Sequence, residues 1–158
     1  MANTQSMCTS FMGELMTGTH NFGTAPVRAT GATDAFKAAL YLASATVDAA
    51  TTAYTVSGEV SGAGYSAGGV AVTMATPPTA TNSSATAGVA FVTPSASITY
   101  TTVTLTTAFD AVLIYNSTQS NKAVSVHTFG SQTITAGTFT LTMPANTTST
   151  ALLRLATT

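Results

Sequence analysis

Two apolar, β-branched segments separated by a short polar linker lie in the second half of the chain. The first, residues 110–116, is followed by the turn-forming residues 117–121 and by the second segment, residues 122–130. This arrangement predicts a β-hairpin with a longer loop. Residues 111–115 of the first segment are apolar on both faces, as expected of a covered strand, whereas the second segment alternates between apolar and polar residues. A central strand beside a half-exposed one predicts the middle of a sandwich or barrel.

Short segments with strand character recur along the rest of the chain, separated by Gly, Pro and Asn-Ser signals. About eight strands are predicted, at residues 35–43, 69–74, 88–93, 98–106, 110–116, 122–128, 138–143 and 151–156. Residues 44–67 are expected to form a long irregular connection, and residues 75–87 a mobile loop. Regularly spaced short strands predict an all-β fold, an antiparallel β-sandwich or jelly roll, which we assign to residues 34–158.

One amphipathic helix is predicted near the start, at residues 6–17, within an N-terminal helix and connecting arm over residues 1–33. Ser6 is a suitable N-cap and Gly18 a suitable terminator. A helix this short is marginal alone and has to dock its apolar stripe. The stripe packs either on the sheet of its own chain or across a subunit boundary. We hypothesise that the helix packs across a subunit or capsid boundary, because its apolar surface is larger than so short a helix needs and Met adapts well to imperfect surfaces. The stripe consists of Cys8 and of five candidate interface residues: Met7, Phe11, Met12, Leu15 and Met16.

The chain is unusually poor in charge. Charged residues make up 6% of it, against roughly 25% in a typical domain. Hydroxyls and methyls must therefore cover the surface, which suits a protein whose surface is occupied by partners, although hydroxyls could also solubilise a monomer. A net charge of −1 with four scattered Lys and Arg residues gives no electrostatic case for nucleic acid. No secretory signal or membrane-length apolar run is apparent, so we expect a soluble product made in a cytoplasm and no membrane partner.

Residues 64–68 match the G-x-S-x-G nucleophile elbow around Ser66, and Asp110 and His127 follow in the serine hydrolase order. The elbow requires a strand before the serine and a helix after it. Here Gly-rich coil precedes the motif and a strand-like segment follows, so we expect no enzyme. His20 and His127 have no acidic or thiol neighbour at ligand spacing, and Cys8 is the single cysteine, so no metal or cofactor is expected.

Several segments resemble a family of small virion proteins of tailed bacteriophages that are often encoded near the capsid genes. The resemblance lies in Asp34-Ala35-Phe36-Lys37-Ala38-Ala39-Leu40-Tyr41, in residues 52–54 and 59–69, in Ala111-Val112-Leu113-Ile114-Tyr115-Asn116, in Lys122-Ala123-Val124-Ser125-Val126 with Phe129-Gly130, and in Gly137-Thr138-Phe139-Thr140-Leu141. It spans residues 33–156 and implies a structural role on the virion, with no catalytic residues to carry over.

The first functional hypothesis is a capsid decoration (cement) protein. Such a protein is made in the host cytoplasm, binds the major capsid protein on the outer capsid surface and stabilises the head. We also expect a homo-oligomer, a trimer in preference to a dimer, because the lattice offers local three-fold and two-fold positions. The alternative is a tail-, collar- or fibre-associated β-domain that contacts other virion proteins or a host receptor. In that case Tyr54, Tyr65 and Tyr100 either form a glycan-binding face or are buried in the protein or in a subunit contact. A hydrolase using Ser66 is the third hypothesis.

Overall fold

The computed structural model describes residues 3–16, 18–22, 34–75, 79–82 and 88–156. Their elements are β1 (Ser6–Met7), α1 (Thr9–Met16), β2 (Phe36–Leu42), β3 (Val70–Val72), β4 (Thr79–Asn82), β5 (Gly88–Val92), β6 (Ile98–Asn116), β7 (Lys122–Leu141) and β8 (Leu153–Ala156). The strands form two antiparallel sheets, of strand order β1-β7-β6-β2-β3 and β4-β5-β8. The predicted all-β fold is confirmed, and the two sheets are consistent with a β-sandwich.

The predicted hairpin is present and is much longer than expected. β6 has 19 residues and β7 has 20, and their ladder runs from Asn116 opposite Lys122 to Ile98 opposite Leu141. The predicted strands at 98–106 and 110–116 are therefore halves of one strand, as are those at 122–128 and 138–143. The separation predicted within each pair is wrong. Repeated register shifts interrupt the ladder instead of ending it, which is how β-bulges bend a strand pair.

The long hairpin folds back over itself. Phe129 and Phe139 lie ten residues apart on β7, which would separate them by roughly 33 Å on a straight strand. Their ring centroids are only 5.0 Å apart, and the ring of Phe109 contacts both. The returning half of the hairpin also reaches β2, because the Tyr100 hydroxyl donates a 2.8 Å hydrogen bond to the Ala38 carbonyl. The bend thus turns one hairpin into two packed layers.

The core covers both faces of the central strands β2 and β6, because successive side chains of a strand point to opposite faces. Residues 38–41 of β2 and 111–114 of β6 are completely buried. The pattern of residues 111–115, apolar on both faces, correctly indicated a covered strand. On the N-terminal half of β7, residues 123–126 are all buried, including Ser125 on the face expected to be exposed, so the prediction of a half-exposed strand is wrong for these residues.

The N-terminal segment departs from its prediction at its first residues. Ser6 and Met7 do not begin the helix, because they pair as β1 with Val126 and Ser125 of β7. The helix starts at Thr9 and ends at Met16. Gly18 follows with a φ of 66°, which is the left-handed backbone that commonly terminates helices.

No helix or strand forms between Leu42 and Val70, as predicted for residues 44–67. The loop predicted at 75–87 is partly wrong, because Thr79–Asn82 is strand β4. Most of that loop lies outside the described residues. So does the boundary predicted between residues 33 and 34, which stays a prediction.

Candidate functional site

The inner part of the helix stripe belongs to the core of its own chain. The Phe11 side chain is 1% exposed and Cys8 is completely buried. The Phe11 ring makes edge contacts with His20 and Phe22, whose centroids are 4.8 and 5.8 Å away. Burial raises the pKa of the Cys8 thiol to about 11. These two residues therefore hold α1 on its own chain, whatever the rest of the stripe contacts.

An apolar pocket lies between α1 and the three-stranded sheet, and it is lined by Met7 and Leu15 of the stripe and also by the buried Phe11. The pocket has a volume of about 140 Å³. Leu155 on its rim is 47% exposed, and among the described residues only Val56 is another exposed large apolar side chain. The side chains of Met12 and Met16 lie outside the described part, so their predicted interface role stays a prediction. The pocket is lined entirely by apolar residues: Met7, Phe11, Leu15, Phe22, Ala90, Phe91, Val92, Leu153 and Leu155.

A buried polar network fixes this end of the molecule. His20 Nε2 lies 2.7 Å from a Glu14 carboxylate oxygen, and Lys122 forms an ion pair with the same carboxylate. The side-chain amide of Asn116 lies 3.1 Å from His20 Nδ1 and 2.8 Å from the Asp34 carboxylate. Burial acts to raise the pKa of Glu14, but the contacts with Lys122 and His20 outweigh it, so this pKa is lowered. The network therefore ties the helix to the tip of the long hairpin and keeps the pocket wall in place.

A second network attaches the irregular segment 44–67 to the sheet. One oxygen of the buried Glu59 carboxylate accepts hydrogen bonds from the Tyr65 hydroxyl and the Gly68 N–H, both 2.7 Å long. The other oxygen accepts a 2.6 Å bond from the Tyr54 hydroxyl. The Tyr65 oxygen accepts in turn from the Leu40 N–H on β2, at 3.0 Å. Glu59 thus links the long connection to a central strand.

The three tyrosines considered for a glycan-binding face point their hydroxyls into the protein. Tyr54 and Tyr65 donate to Glu59, and Tyr100 donates to the Ala38 carbonyl. Burial first, together with the nearby Glu59 charge, raises the pKa of all three phenols. Tyr65 also stacks on Tyr100, with centroids 5.9 Å apart. Their hydroxyls are engaged within the chain, so these residues pack the molecule together.

The residues of the candidate hydrolase motif are not brought together. His127 Nε2 lies 2.9 Å from the Ser125 hydroxyl, its neighbour two residues earlier on β7. Asp110 accepts a hydrogen bond from the Asn3 amide. Ser66 lies in the connection before β3, and a strand, not a helix, follows the motif. Burial lowers the pKa of His127 to about 4. The geometry that a nucleophile elbow requires is therefore missing from this motif.

Sequence reasoning missed Glu59 as a buried anchor and missed the Asn116 network. A signal for Glu59 exists, because it is a lone acidic residue between Tyr54 and Tyr65 in a segment otherwise almost free of charge. Asn116 and Asp34 are far apart in sequence and leave no local pattern. The sequence also gave no sign that residues 90–92, Leu153 and Leu155 would line a pocket with the helix.

Within the described ranges, no group of three His, Cys, Asp or Glu residues is placed to hold a metal ion. None of the helices formed by these residues is both long and apolar enough to span a membrane. Comparisons of the chain with protein-family models, curated proteins and solved structures gave no match.

Proposed function

We propose that the protein is a structural component of a tailed-phage virion, a decoration protein that binds the major capsid protein on the outer surface of the head. The observation that carries the proposal is the apolar pocket beside exposed Leu155, set in a surface that is otherwise rich in hydroxyls and poor in charge. The sequence resemblance to phage virion proteins supports the same role. The hydroxyl-rich surface is clearest on the long hairpin. Its exposed residues include Thr99, Thr101, Thr102, Ser131, Gln132, Thr133, Thr135, Thr138 and Thr140.

The pocket is suited to a single apolar side chain presented by the capsid. Burying such a side chain fully contributes about 1.5–3 kcal/mol. A surface with few charges also lowers the desolvation cost of a close contact. A ligand that binds only the assembled shell stabilises it by mass action, by about 2.7 kcal/mol per site at one hundred times its Kd. Many such sites together would reinforce a capsid under internal pressure.

A closed homo-oligomer is part of the proposal, with a trimer favoured. A three-fold ligand at a local three-fold position engages several equivalent sites at once and gains avidity. Sedimentation velocity of the purified protein measures this directly. A trimer supports the expectation, whereas a strict monomer at micromolar concentration removes the avidity argument.

The location is tested by quantitative mass spectrometry of heads that have been separated from tails. In the head fraction, we expect the number of copies of the protein per particle to be comparable to the number of capsomer positions. Recovery with the tails, at a few copies per particle, would replace this proposal with the tail-, collar- or fibre-associated alternative.

The contact is tested with Leu15→Ser and Leu155→Ser, each assayed by co-sedimentation with capsids that lack the protein. Each variant should bind at least tenfold more weakly while its circular dichroism spectrum stays unchanged. Val56→Ser is the matched control, because Val56 is 68% exposed and does not line the pocket. Phe11 is unsuitable for this test, since its substitution would disturb the core. If all three variants bind capsids as tightly as the wild type, the pocket is not part of the interface.

A further inference from the structure

The side chain of His20 is buried between α1 and the tip of the long hairpin, and both of its ring nitrogens have a partner. Nε2 lies 2.7 Å from a Glu14 carboxylate oxygen, and Nδ1 lies 3.1 Å from the side-chain amide nitrogen of Asn116. An imidazole with one proton donates through one nitrogen and accepts through the other. The partners therefore determine which nitrogen carries the proton.

The orientation of the Asn116 amide is fixed by three other hydrogen bonds. Its oxygen accepts from the backbone N–H groups of Thr118 and Gln119, and both bonds are 3.1 Å long. Its nitrogen donates a 2.8 Å bond to the Asp34 carboxylate. A flipped amide would lose all three bonds, because donors would then face donors and the two oxygens would face each other. The NH₂ group must therefore point at His20 Nδ1.

A neutral His20 with its proton on Nε2 satisfies every group in this arrangement. The Nε2–H group donates to Glu14, and Nδ1 accepts from Asn116. With the proton on Nδ1 instead, two donors would meet at Asn116 and the Nε2 lone pair would face a carboxylate. The hydrogen bonds therefore select the Nε2–H form.

A second proton on the ring has no acceptor in this arrangement. It would bind at Nδ1, so that two donors would face each other 3.1 Å apart in a buried site. The charges around the ring do not exclude it. Among the described residues, the carboxylates of Glu14 and Asp34 attract a cation and outweigh the single ammonium of Lys122. The ring and Asn116 must therefore separate when the proton binds, and acid favours the separated state by mass action.

We propose that the contact between His20 and Asn116 is an acid-sensitive latch. With one proton, on Nε2, His20 holds the segment 18–22 against the hairpin tip, and a second proton at Nδ1 opens this contact. The latch also acts on the wall of the apolar pocket, because the His20 ring lies beside Phe11 and Phe22, and both phenyl rings line that pocket. The inference is independent of the proposed function, since it concerns contacts within one chain.

The first test locates the proton by nitrogen-15 NMR of the imidazole rings at neutral pH. We expect the proton of His20 on Nε2 and an unprotonated Nδ1. The variant His127→Gln removes the signals of the second histidine of the chain and so identifies those of His20. If this variant misfolds, the contact of the His20 ring with Phe11 identifies it in the wild type. A proton on Nδ1, alone or together with one on Nε2, overturns the inference.

The second test follows the opening as the pH is lowered until the protein unfolds. The ring signals of His20 report its second proton, and amide hydrogen exchange is measured in parallel as protection factors, which correct for the intrinsic effect of pH on exchange. Movement of the ring should expose the Asn21 N–H, which donates to Asp34, whereas movement of Asn116 should expose the N–H groups of Thr118 and Gln119. We expect at least a tenfold loss of protection at one of these places as the second proton binds.

His20→Gln is the matched control, because a Gln amide carries an acceptor and a donor on one carbon, in place of Nδ1 and Nε2, and takes up no proton. Its protection should persist at the pH at which the wild type loses it. An equal loss in this variant overturns the inference, and so does a second proton on His20 without loss of protection. If the second proton binds only when the whole protein unfolds, the latch does not open in the folded state, and the inference is likewise overturned. Capsid binding does not enter these measurements, so each outcome leaves the proposed function standing.

Discussion

Replacement of Glu59 should be among the most destabilising single changes outside the apolar core. In Glu59→Ala the Tyr65 hydroxyl and the Gly68 N–H lose their acceptor in a buried site. Each such donor left unpaired costs about 1–3 kcal/mol. Tyr54 is only half-buried, so its hydroxyl can turn to water. We therefore expect a loss of about 4 kcal/mol in the free energy of unfolding.

Glu59→Gln separates the loss of the acceptor from the loss of the charge. The carboxylate uses one oxygen for Tyr65 and Gly68 and the other for Tyr54. An amide oxygen can keep the first two bonds, and its NH₂ group can donate to the Tyr54 hydroxyl. We expect a loss of only about 1 kcal/mol, since charge assistance alone disappears.

Urea unfolding followed by circular dichroism measures both effects. With a slope of about 2 kcal/mol per molar urea, the Ala variant should unfold at roughly 2 M less denaturant and the Gln variant at about 0.5 M less. Ser57→Ala, an exposed change in the same connection, is the control and should leave the midpoint in place. The reasoning is refuted if Glu59→Ala keeps the wild-type midpoint, or if Gln is as harmful as Ala.

Three further expectations follow from other sites. Gly69→Ala should cost more than about 3 kcal/mol, because its Cβ would lie 1.6 Å from the Ala38 carbonyl oxygen at a φ of 70°; Gly130→Ala, with open space around it, should cost under about 0.5 kcal/mol in the same denaturation assay. The pKa of His127 is about 4, below the ordinary value of 6.5. The unfolded chain therefore takes up the proton first, and the free energy of unfolding falls as the pH drops from 6.5 to 4. A His127→Gln variant lacks this group, so its free energy of unfolding should fall by up to about 1.4 kcal/mol less per pH unit than that of the wild type, as measured by the same denaturation assay. The buried Cys8 thiol, with its pKa of about 11, should react with a thiol reagent at pH 8 more than a hundredfold more slowly in the native protein than in urea, and equal rates would contradict the assigned burial.

Strands could be predicted from the sequence where the order of apolar and polar side chains along a few neighbouring residues marks them. Residues 111–115 are apolar on both faces, and this local pattern indicated a central strand. The segment 122–128 and the segments around β2, β5 and β8 were likewise correctly identified as strands. The alternation in residues 122–128 did not predict burial, however, because Ser125 on its polar face is buried.

The continuous hairpin was not predictable from the same signals. Gly130 and Gly137 resemble chain breaks, but here β7 continues through both of them. Thr102 and Ala136 adopt positive φ values of 52° and 47°, which few non-glycine residues do and which no local pattern announces. The exposed threonines of the outer half also lack the apolar alternation that marks a strand. Bends therefore looked like strand ends.

The candidate sites depend on contacts between distant parts of the chain. The helix stripe was visible in the sequence, but the second wall of its pocket comes from β5 and β8, which lie far along the chain. The tertiary fold alone determines these features.

The long hairpin has a consequence for how the chain folds. Its ladder starts with Asn116 opposite Lys122, where the intervening turn contains Ser120 and Asn121 with positive φ. Pairing can begin at this turn and proceed outward, and each further pair closes a loop only slightly larger than the last, at little additional entropic cost. The pairing of β2 with β6 joins residues far apart in the chain and must close a large loop in one step. We therefore expect the hairpin to form early and the docking of β2 to limit the folding rate, so that substitutions in β2 slow folding more than equally destabilising substitutions in the outer half of β7.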